Sequence, residues 1–505
     1  MGCFVANHYT ARAFCVLKIS IWGLGNIKNM SGVKKAVIFS FLSNYSSLLI
    51  QLCGTMVLAR ILTPQDFGIF AIAFVFVALA NVLKDVGVTQ YLIKEKELTT
   101  DKIRSAFTIL IFFSFSLTVI LYLSASTVAS FYNEPKLKLI IQLLSINILL
   151  SPFGSIVTAL LNRNLEFRPT FIASVISQLI GYASMIFLAV KGYGEITLAV
   201  GCIISTLATI AVIQFYRPPE TPLLPGFGKV KEVLHYSKFV VAASFIGEIG
   251  HYYAELAVGK FHSMESVGLL SRALGMADLF NRLFSKALYN VLTPYISKGN
   301  REGADIKNNI KIITDIQLSV ALPFYAILAF LSEPIIYLLF GSQWTDASLY
   351  LTIMCLTVLP YLLSQHFSPI FLGLGLAKEA MKIQLLTNLI RIVIITITVS
   401  LGIEQMLYSL FLVTLVGLAY TIYFAKIHLY LDVKDYLCWV LSNSKITCIT
   451  LMPLLIFFVM KTLVGINNEM VFILVSTLLC GACWCVAVWN KTVGILFRSH
   501  FFNGK

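Results

Sequence analysis

Apolar runs of about twenty residues follow one another from residue 36 to residue 490, and nothing else in the chain constrains its fold as tightly. The hydrocarbon core of a bilayer is ~30 Å thick and a helix rises ~1.5 Å per residue, so such runs have the length of membrane crossings. Length and the intervening loops put spans near 36–59, 67–87, 105–131, 138–161, 170–190, 196–216, 237–259, 267–294, 312–331, 347–372, 381–401, 405–425, 446–465 and 470–490. The reading is an all-α polytopic membrane protein with about fourteen transmembrane helices. Composition excludes the soluble alternative: 12% of the residues are charged and mean hydropathy is +0.85, against a charged share of about 25% in soluble domains.

The formal charge of +14 arises from 38 Lys and Arg against 24 Asp and Glu. In a membrane protein such an excess belongs to cytoplasmic loops rather than to a nucleic-acid partner. With the N-terminus placed inside, 28 basic residues fall on the cytoplasmic side and six outside: Arg60, Lys136, Lys138, Lys191, Lys260 and Lys461. The remaining four, Arg272, Arg282, Lys286 and Arg391, lie within spans. Both termini are therefore expected in the cytoplasm. Residues 1–29 hold only a short apolar run, Ala11 to Leu24, interrupted by Lys18, and are read as an extension before a start at Met30. The ten cysteines lie mostly in apolar runs and form no paired framework in the loops. Cys480, Cys483 and Cys485 read as small packing residues.

Charge inside spans is the next signal, because each buried charge costs about 2.5–3.5 kcal/mol on insertion scales and persists where it faces a polar cavity or a partner. Two consecutive spans concentrate it. Glu248, His251 and Glu255 share a face of the first. Arg272, Asp278, Arg282 and Lys286 share an arc of about 120° on the second, at 100° per residue. A basic amphipathic helix lying on the membrane surface would give the same pattern. Removing the span 267–294, however, would invert the remaining topology and put twelve basic residues outside against one inside, so it is read as a crossing.

An internal match at an offset of 200 residues lays Ala59-Arg60-Ile-Leu-Thr63-Pro-Gln-Asp-Phe-Gly68 over Gly259-Lys260-Phe-His-Ser263-Met-Glu-Ser-Val-Gly268. Each copy follows the first span of a six-helix set, the arrangement of a parallel repeat. Between the sets, Arg217 to Lys238 is basic and carries Pro218, Pro219, Pro222 and Pro225, as a linker would. The chain accordingly divides into an extension 1–29, an N-terminal lobe 30–216, a cytoplasmic linker 217–236, a C-terminal lobe 237–425, and a tail 426–505 with two further helices. Thr63-Pro64-Gln65-Asp66 reads as a helix start, with Thr63 as cap and Pro64 in the first helical position.

At Leu58-Ala-Arg-Ile-Leu-Thr-Pro-Gln-Asp-Phe-Gly68 the chain resembles the Wzx-type oligosaccharide flippases of the multidrug/oligosaccharidyl-lipid/polysaccharide exporter superfamily, and most of all their colanic acid exporter branch. Asp85-Val-Gly87, Gly268-Leu-Leu-Ser-Arg272-Ala, Leu339-Phe-Gly341-Ser-Gln-Trp344 and Leu372-Gly-Leu-Gly375 extend the resemblance in order. The chain departs from that branch at Leu270, where a tyrosine is usual, and at Lys191-Gly-Tyr-Gly-Glu-Ile, which lacks an expected tryptophan. The resemblance implies two six-helix lobes in parallel repeat around a central cavity, with the last two helices outside. It implies a bacterial inner-membrane transporter that moves polyprenyl-pyrophosphate-linked oligosaccharide to the outer leaflet by alternating access, alongside a polysaccharide polymerase and chain-length machinery.

Residue chemistry is compatible with that cargo. Pyrophosphate in a low-dielectric passage needs cationic donors, and Arg272, Arg282, Lys286 and Arg391 are the available set. They would equally serve to neutralise Glu248, Glu255 and Asp278. His251, Glu248 and Glu255 are candidates for coupling to H+ or Na+. Asn44, Gln51, Asn81, Asn281, Gln365 and His366 could meet sugar hydroxyls or tie helices together. The sequence holds no P-loop and no metalloprotease helix, so no cofactor and no ATP hydrolysis by this chain is expected. Two competing classes differ in what they need: a drug or cation exporter would line its cavity with carboxylates and aromatics, and a membrane glycosyltransferase or polymerase would carry a large outside loop with acidic residues.

Overall fold

The computed structural model describes residues 32–85, 87–222, 224–286, 288–289, 292, 296–297, 306–464, 475 and 477–487. The proposed extension 1–29 lies outside these residues, as do the end of the span 267–294 and much of the span 470–490. Among the described residues ten helices are long and apolar enough to cross a bilayer, or eleven when the bent pair Lys136–Leu150 and Pro152–Arg163 counts as one crossing.

In chain order the helices are α1 (Gly32–Ile61), α2 (Pro64–Asp85), α3 (Val88–Lys94), α4 (Thr100–Tyr132), α5 (Lys136–Leu150), α6 (Pro152–Arg163), α7 (Phe167–Val190), α8 (Ile196–Gln214), α9 (Val230–Phe261) and α10 (Met264–Ala277). After a π turn at Asn281–Ser285 come α11 (Ile306–Phe330), α12 (Ser332–Phe340), α13 (Ala347–Thr357), α14 (Leu359–Ser364), α15 (Phe367–Gly373), α16 (Ala377–Thr398), α17 (Ile403–Leu429) and α18 (Val433–Val464). The chain thus forms a multi-pass, helical membrane protein. Large apolar side chains remain uncovered along the spans, Leu123 at 71% and Phe187 at 62% exposure for example, as expected where the solvent is lipid.

Three of the fourteen expected spans differ from the rest. The expected span 237–259 lies inside α9, which at 32 residues is long enough but intersperses Glu248, Glu255 and Lys260 among its apolar residues. The span 267–294 begins as α10 and then departs from regular helix at the π turn. Of 470–490, the described part is the helix Thr477–Ala487.

The chain packs as two compact units that do not follow its order. One comprises the described residues up to Leu58 with those of Ala80–Ala125 and Leu139–Val241; the other comprises Ala59–Leu79, Ser126–Lys138 and the described residues from Ala242 onward. In the first, Val88, Leu92, Ile103, Leu110, Ile156 and Leu160 form a buried core. The proline-rich segment is fastened to α4 in this unit: the Gly226 N–H donates to Thr108 Oγ1 at 2.8 Å and the Lys229 N–H to Ser105 Oγ at 2.9 Å. In the second, Ile310, Phe367, Phe371 and Tyr436 centre a core drawn from α11, α15, α17 and α18. Asn443 of α18 donates to Asp315 of α11 at 2.7 Å, which satisfies two polar groups at membrane depth and ties the penultimate expected span to the second unit.

Candidate transport site

All eight charged or titratable residues singled out in the sequence belong to the second unit, and the structure sorts them into groups. Glu248 and Glu255 stand on α9, as does His251. Asp278 follows α10, Arg282 lies in the π turn, and Arg391 is on α16.

The first group forms where α9 meets α16. Gln384, Asn388 and Arg391 repeat at helical spacing on α16 and face Gly247 and Gly250 of α9. A side chain at Gly250 would come within 2.6 Å of Asn388 Oδ1, and one at Gly247 within 3.0 Å of Gln384 Nε2. The bare glycine face lets the polar stripe approach the α9 backbone. Arg391 Nη1 donates to the Gly250 carbonyl at 3.4 Å, while its buried Nε has no hydrogen-bond partner among the described residues. His251, one residue beyond Gly250, lies in the field of Asp278, Glu248, Arg391 and Arg282, and Tyr361 in that of Arg391 and Asp278. Five of the eight residues therefore share one electrostatic neighbourhood.

Within it each carboxylate oxygen of Asp278 accepts a hydrogen bond. Arg282 Nε donates to Oδ2 at 2.8 Å and Asn281 Nδ2 to Oδ1 at 3.2 Å. The pair is open on one side, with the arginine and aspartate side chains 39% and 33% exposed. A partly exposed ion pair contributes little stability, on the order of 0–1 kcal/mol, so a stronger anion can displace the carboxylate cheaply.

A second group surrounds Arg272. Its guanidinium carbon lies 4.4 Å from the Phe67 ring centroid and 6.0 Å from that of Trp344. Phe67 and Trp344 meet edge to face at 5.3 Å. Buried Glu255 lies in the field of Arg272. The two aromatic rings hold the guanidinium of this arginine in place.

Lys286 stands apart. Its N–H bonds to the Asn281 carbonyl, five residues back, which is the signature of a π turn. Each residue of such a turn advances less than the α step, so Lys286 rotates off the line of Arg272, Asp278 and Arg282. The regular-helix arc of the sequence reading needs this correction. Lys286 is exposed.

The polar candidates divide similarly. His366 is fully buried, bonded to Thr314 Oγ1 at 3.0 Å, with its ring tilted against that of Phe367 at 4.6 Å between centroids; it ties helices together. Asn281 supports Asp278, and Asn81 accepts a bond from Lys84 at 3.1 Å. Gln365 is buried with Nε2 unpartnered among the described residues, and Asn44 and Gln51 are exposed. Sequence reasoning passed over Lys84, which is 8% exposed and donates to Ser151 Oγ at 2.7 Å at the bend between α5 and α6. Lying at the end of an apolar run beside Asp85, it had the appearance of a loop charge. The reading also missed Phe67 and Trp344 as partners of an arginine, although both stand in stretches that carried the family resemblance. No group of His, Cys, Asp and Glu able to hold a metal occurs among the described residues. The cysteines at 480, 483 and 485 are free thiols.

Comparisons with known proteins agree with this architecture. A family profile described as polysaccharide biosynthesis protein matches residues 57–349. The succinoglycan biosynthesis transport protein ExoT of Rhizobium meliloti is 22% identical over 343 residues, 66% of this chain and 69% of that protein. The lipopolysaccharide biosynthesis protein WzxC of Escherichia coli is 22% identical over 330 residues, covering 65% and 66% of the two chains. Among solved structures, the lipid II flippase MurJ in an inward closed conformation superposes with a TM-score of 0.72 at 18% identity, over 91% of this chain and all of that one. An inward-facing multidrug resistance MATE family transporter superposes with a TM-score of 0.60 at 13% identity, over 75% and 94%.

Proposed function

Because the chain belongs to the family of polysaccharide biosynthesis proteins, we propose that it is a flippase carrying polyprenyl-pyrophosphate-linked oligosaccharide from the inner to the outer leaflet of a bacterial cytoplasmic membrane, for surface polysaccharide such as O-antigen, capsule or exopolysaccharide. In this reading fourteen spans form two six-helix lobes and two added helices, both termini are cytoplasmic, and transport proceeds by alternating access. The names of the relatives, transport and biosynthesis proteins of extracellular polysaccharides, support the cargo class.

The single observation that carries the site is Arg391. A half-buried arginine whose buried Nε has no hydrogen-bond partner among the described residues, in the same electrostatic neighbourhood as the Asp278–Arg282 ion pair, is a cation with capacity for an anion. Arg282 joins it when the pyrophosphate displaces Asp278, and Lys286 adds positive charge from the exposed side. Arg272 contributes field from its aromatic clamp. Glu248, His251 and Glu255 are the groups through which H+ or Na+ would be coupled to the cycle.

Arg391→Ala should abolish polysaccharide export in a deletion strain while leaving the protein inserted and abundant. Losing a charged hydrogen bond costs about 1.5–3 kcal/mol, roughly ten- to a hundredfold in binding. Arg391→Lys should retain part of the activity, since a point charge attracts phosphate without the two-pronged geometry. Undiminished export by the alanine variant would remove this residue, and with it the site, from the reading.

A further inference from the structure

Two spans of the first unit carry a polar surface without a charge. No Lys, Arg, Asp or Glu occurs from Ala36 to Leu58 on α1 or from Pro169 to Val190 on α7. At 100° per residue, Ser40, Asn44, Ser47, Gln51 and Thr55 of α1 fall within an arc of about 80°. Leu42, Leu49 and Cys53 stand on the opposite side and are exposed. On α7, Thr170, Ser174, Gln178 and Tyr182 recur every fourth residue and so share a face.

The two faces meet. Ser47 Oγ and Ser174 Oγ are 2.8 Å apart, and Gln178 Nε2 donates to both, at 2.7 and 3.0 Å. Two turns further along α1, Gly54 packs against the Tyr182 ring with no room for a Cβ. These contacts hold the Gln178 amide by its nitrogen, while its carbonyl oxygen accepts no hydrogen bond among the described residues. The Asn44 side chain is exposed and bonded to nothing among the described residues, and Gln51, two turns on along the same line, is exposed too. Asn44 lies six residues and Gln51 thirteen beyond the start of the crossing Ile38–Ile61, depths of about 9 and 20 Å. A carboxamide without a partner is strongly disfavoured in hydrocarbon, so the side of α1 that bears Asn44 faces a polar passage and the side that bears Leu49 faces lipid.

We infer that this uncharged face of α1 and α7 reads the sugars of the cargo, with Asn44, Gln51 and Gln178 hydrogen-bonding glycan hydroxyls. The inference rests on the flippase reading for the identity of the cargo and adds to it the residues that discriminate among glycans. A sugar hydroxyl donates and accepts at once. Carboxamides and the hydroxyls of Ser and Thr do the same, whereas a lysine or arginine only donates and a carboxylate only accepts. The composition of the face therefore matches a neutral, hydroxyl-rich ligand, as the cations of the second unit match a pyrophosphate. Gln178 is the most closely defined of the three, because two serine hydroxyls set which way its free carbonyl oxygen points. A site built to hydrogen-bond a hydroxyl rejects a ligand that lacks it far more strongly than an apolar pocket rejects a change of size, so these positions are where glycan specificity resides.

The test uses the full-length protein. With the native cysteines replaced, Asn44→Cys and Gln51→Cys should react with a charged thiol reagent in membranes and Leu49→Cys should not, because the reactive thiolate forms in water and not in hydrocarbon. Thiols at 44 and 51 as inert as the one at 49 overturn the proposal, whether lipid or a second copy of the chain covers the face. Binding is then read by native mass spectrometry with two probes: the lipid-linked oligosaccharide extracted from the cells that make it, and the same lipid stripped of its sugars to polyprenyl pyrophosphate. Asn44→Leu combined with Gln51→Leu should weaken binding of the first by about tenfold, the loss of two neutral hydrogen bonds, and leave the second unchanged. Equal losses for both probes, no loss for either, or equal binding of the two by the parental protein overturns the glycan assignment. A parental protein that binds neither probe while positions 44 and 51 still react removes the cargo reading, and the glycan with it, but not the polar passage.

Discussion

At the scale of single residues, the ion pair between Arg282 and Asp278 separates two accounts of charge at membrane depth. If Arg282 serves only to neutralise Asp278, removing both charges restores what removing one destroys, because breaking a partly buried pair leaves a lone charge. If Arg282 meets the substrate, neutralising Asp278 brings nothing back. Arg282→Ala should therefore abolish export, and the double variant with Asp278→Asn should remain inactive at normal protein abundance. Recovery of translocation in the double variant would assign Arg282 to structure. The sequence already held both residues at the right spacing of four. What it could not hold was the direction of Arg391, because the glycine face that admits it lies about 140 positions earlier in the chain, at Gly247 and Gly250.

At the scale of elements, two helix starts and one helix irregularity matter most. The capping of α2 was legible: Thr63, Pro64 and Asp66 sit at the positions local geometry demands, and the Thr63 N–H and Oγ1 donate back to Asp66 at 2.9 and 2.8 Å. Thr63→Val should lower thermal stability by about 1 kcal/mol and leave export in place; a variant that folds normally yet loses export would show that the cap also governs movement. The π turn at Asn281–Ser285 was not legible, because apolar periodicity fixes a helix but not a single wide turn within it. Deleting Leu283 should remove the extra residue that the wide turn accommodates and close it to regular helix, with the residues beyond it kept near their positions. Export should fail with the protein still inserted, and export at the parental rate would show that the wide turn itself carries no function.

At the scale of the whole molecule, the distribution of basic residues makes a topological prediction independent of any site. Reporter fusions at Lys102 and Lys426 should read cytoplasmic, and one at Tyr193 external. A clear reversal at any of the three would break the fourteen-span topology. The two compact units are a different matter from the two expected lobes. Residues 59–79 and 126–138 pack with the second unit, where Arg60 donates to the Leu338 carbonyl and Lys260 to the Phe131 carbonyl.

The sequence by itself determined the class of the molecule, most of its spans, its expected orientation and the residues at which charge enters the membrane. Each of these follows from local quantities: the length of an apolar run, the sign of a loop, the cost of a charge in hydrocarbon. Only the tertiary structure decided which charges meet. It paired Asp278 with Arg282 in the neighbourhood of His251, Glu248 and Arg391, gave Arg272 to Phe67 and Trp344, and set Gly68 and Gly268, 200 positions apart, against each other's backbones. Contacts of that kind depend on which helix faces approach closely, and in a bilayer, where every apolar face is equally at home against lipid, small residues and polar partners make that choice rather than hydrophobicity.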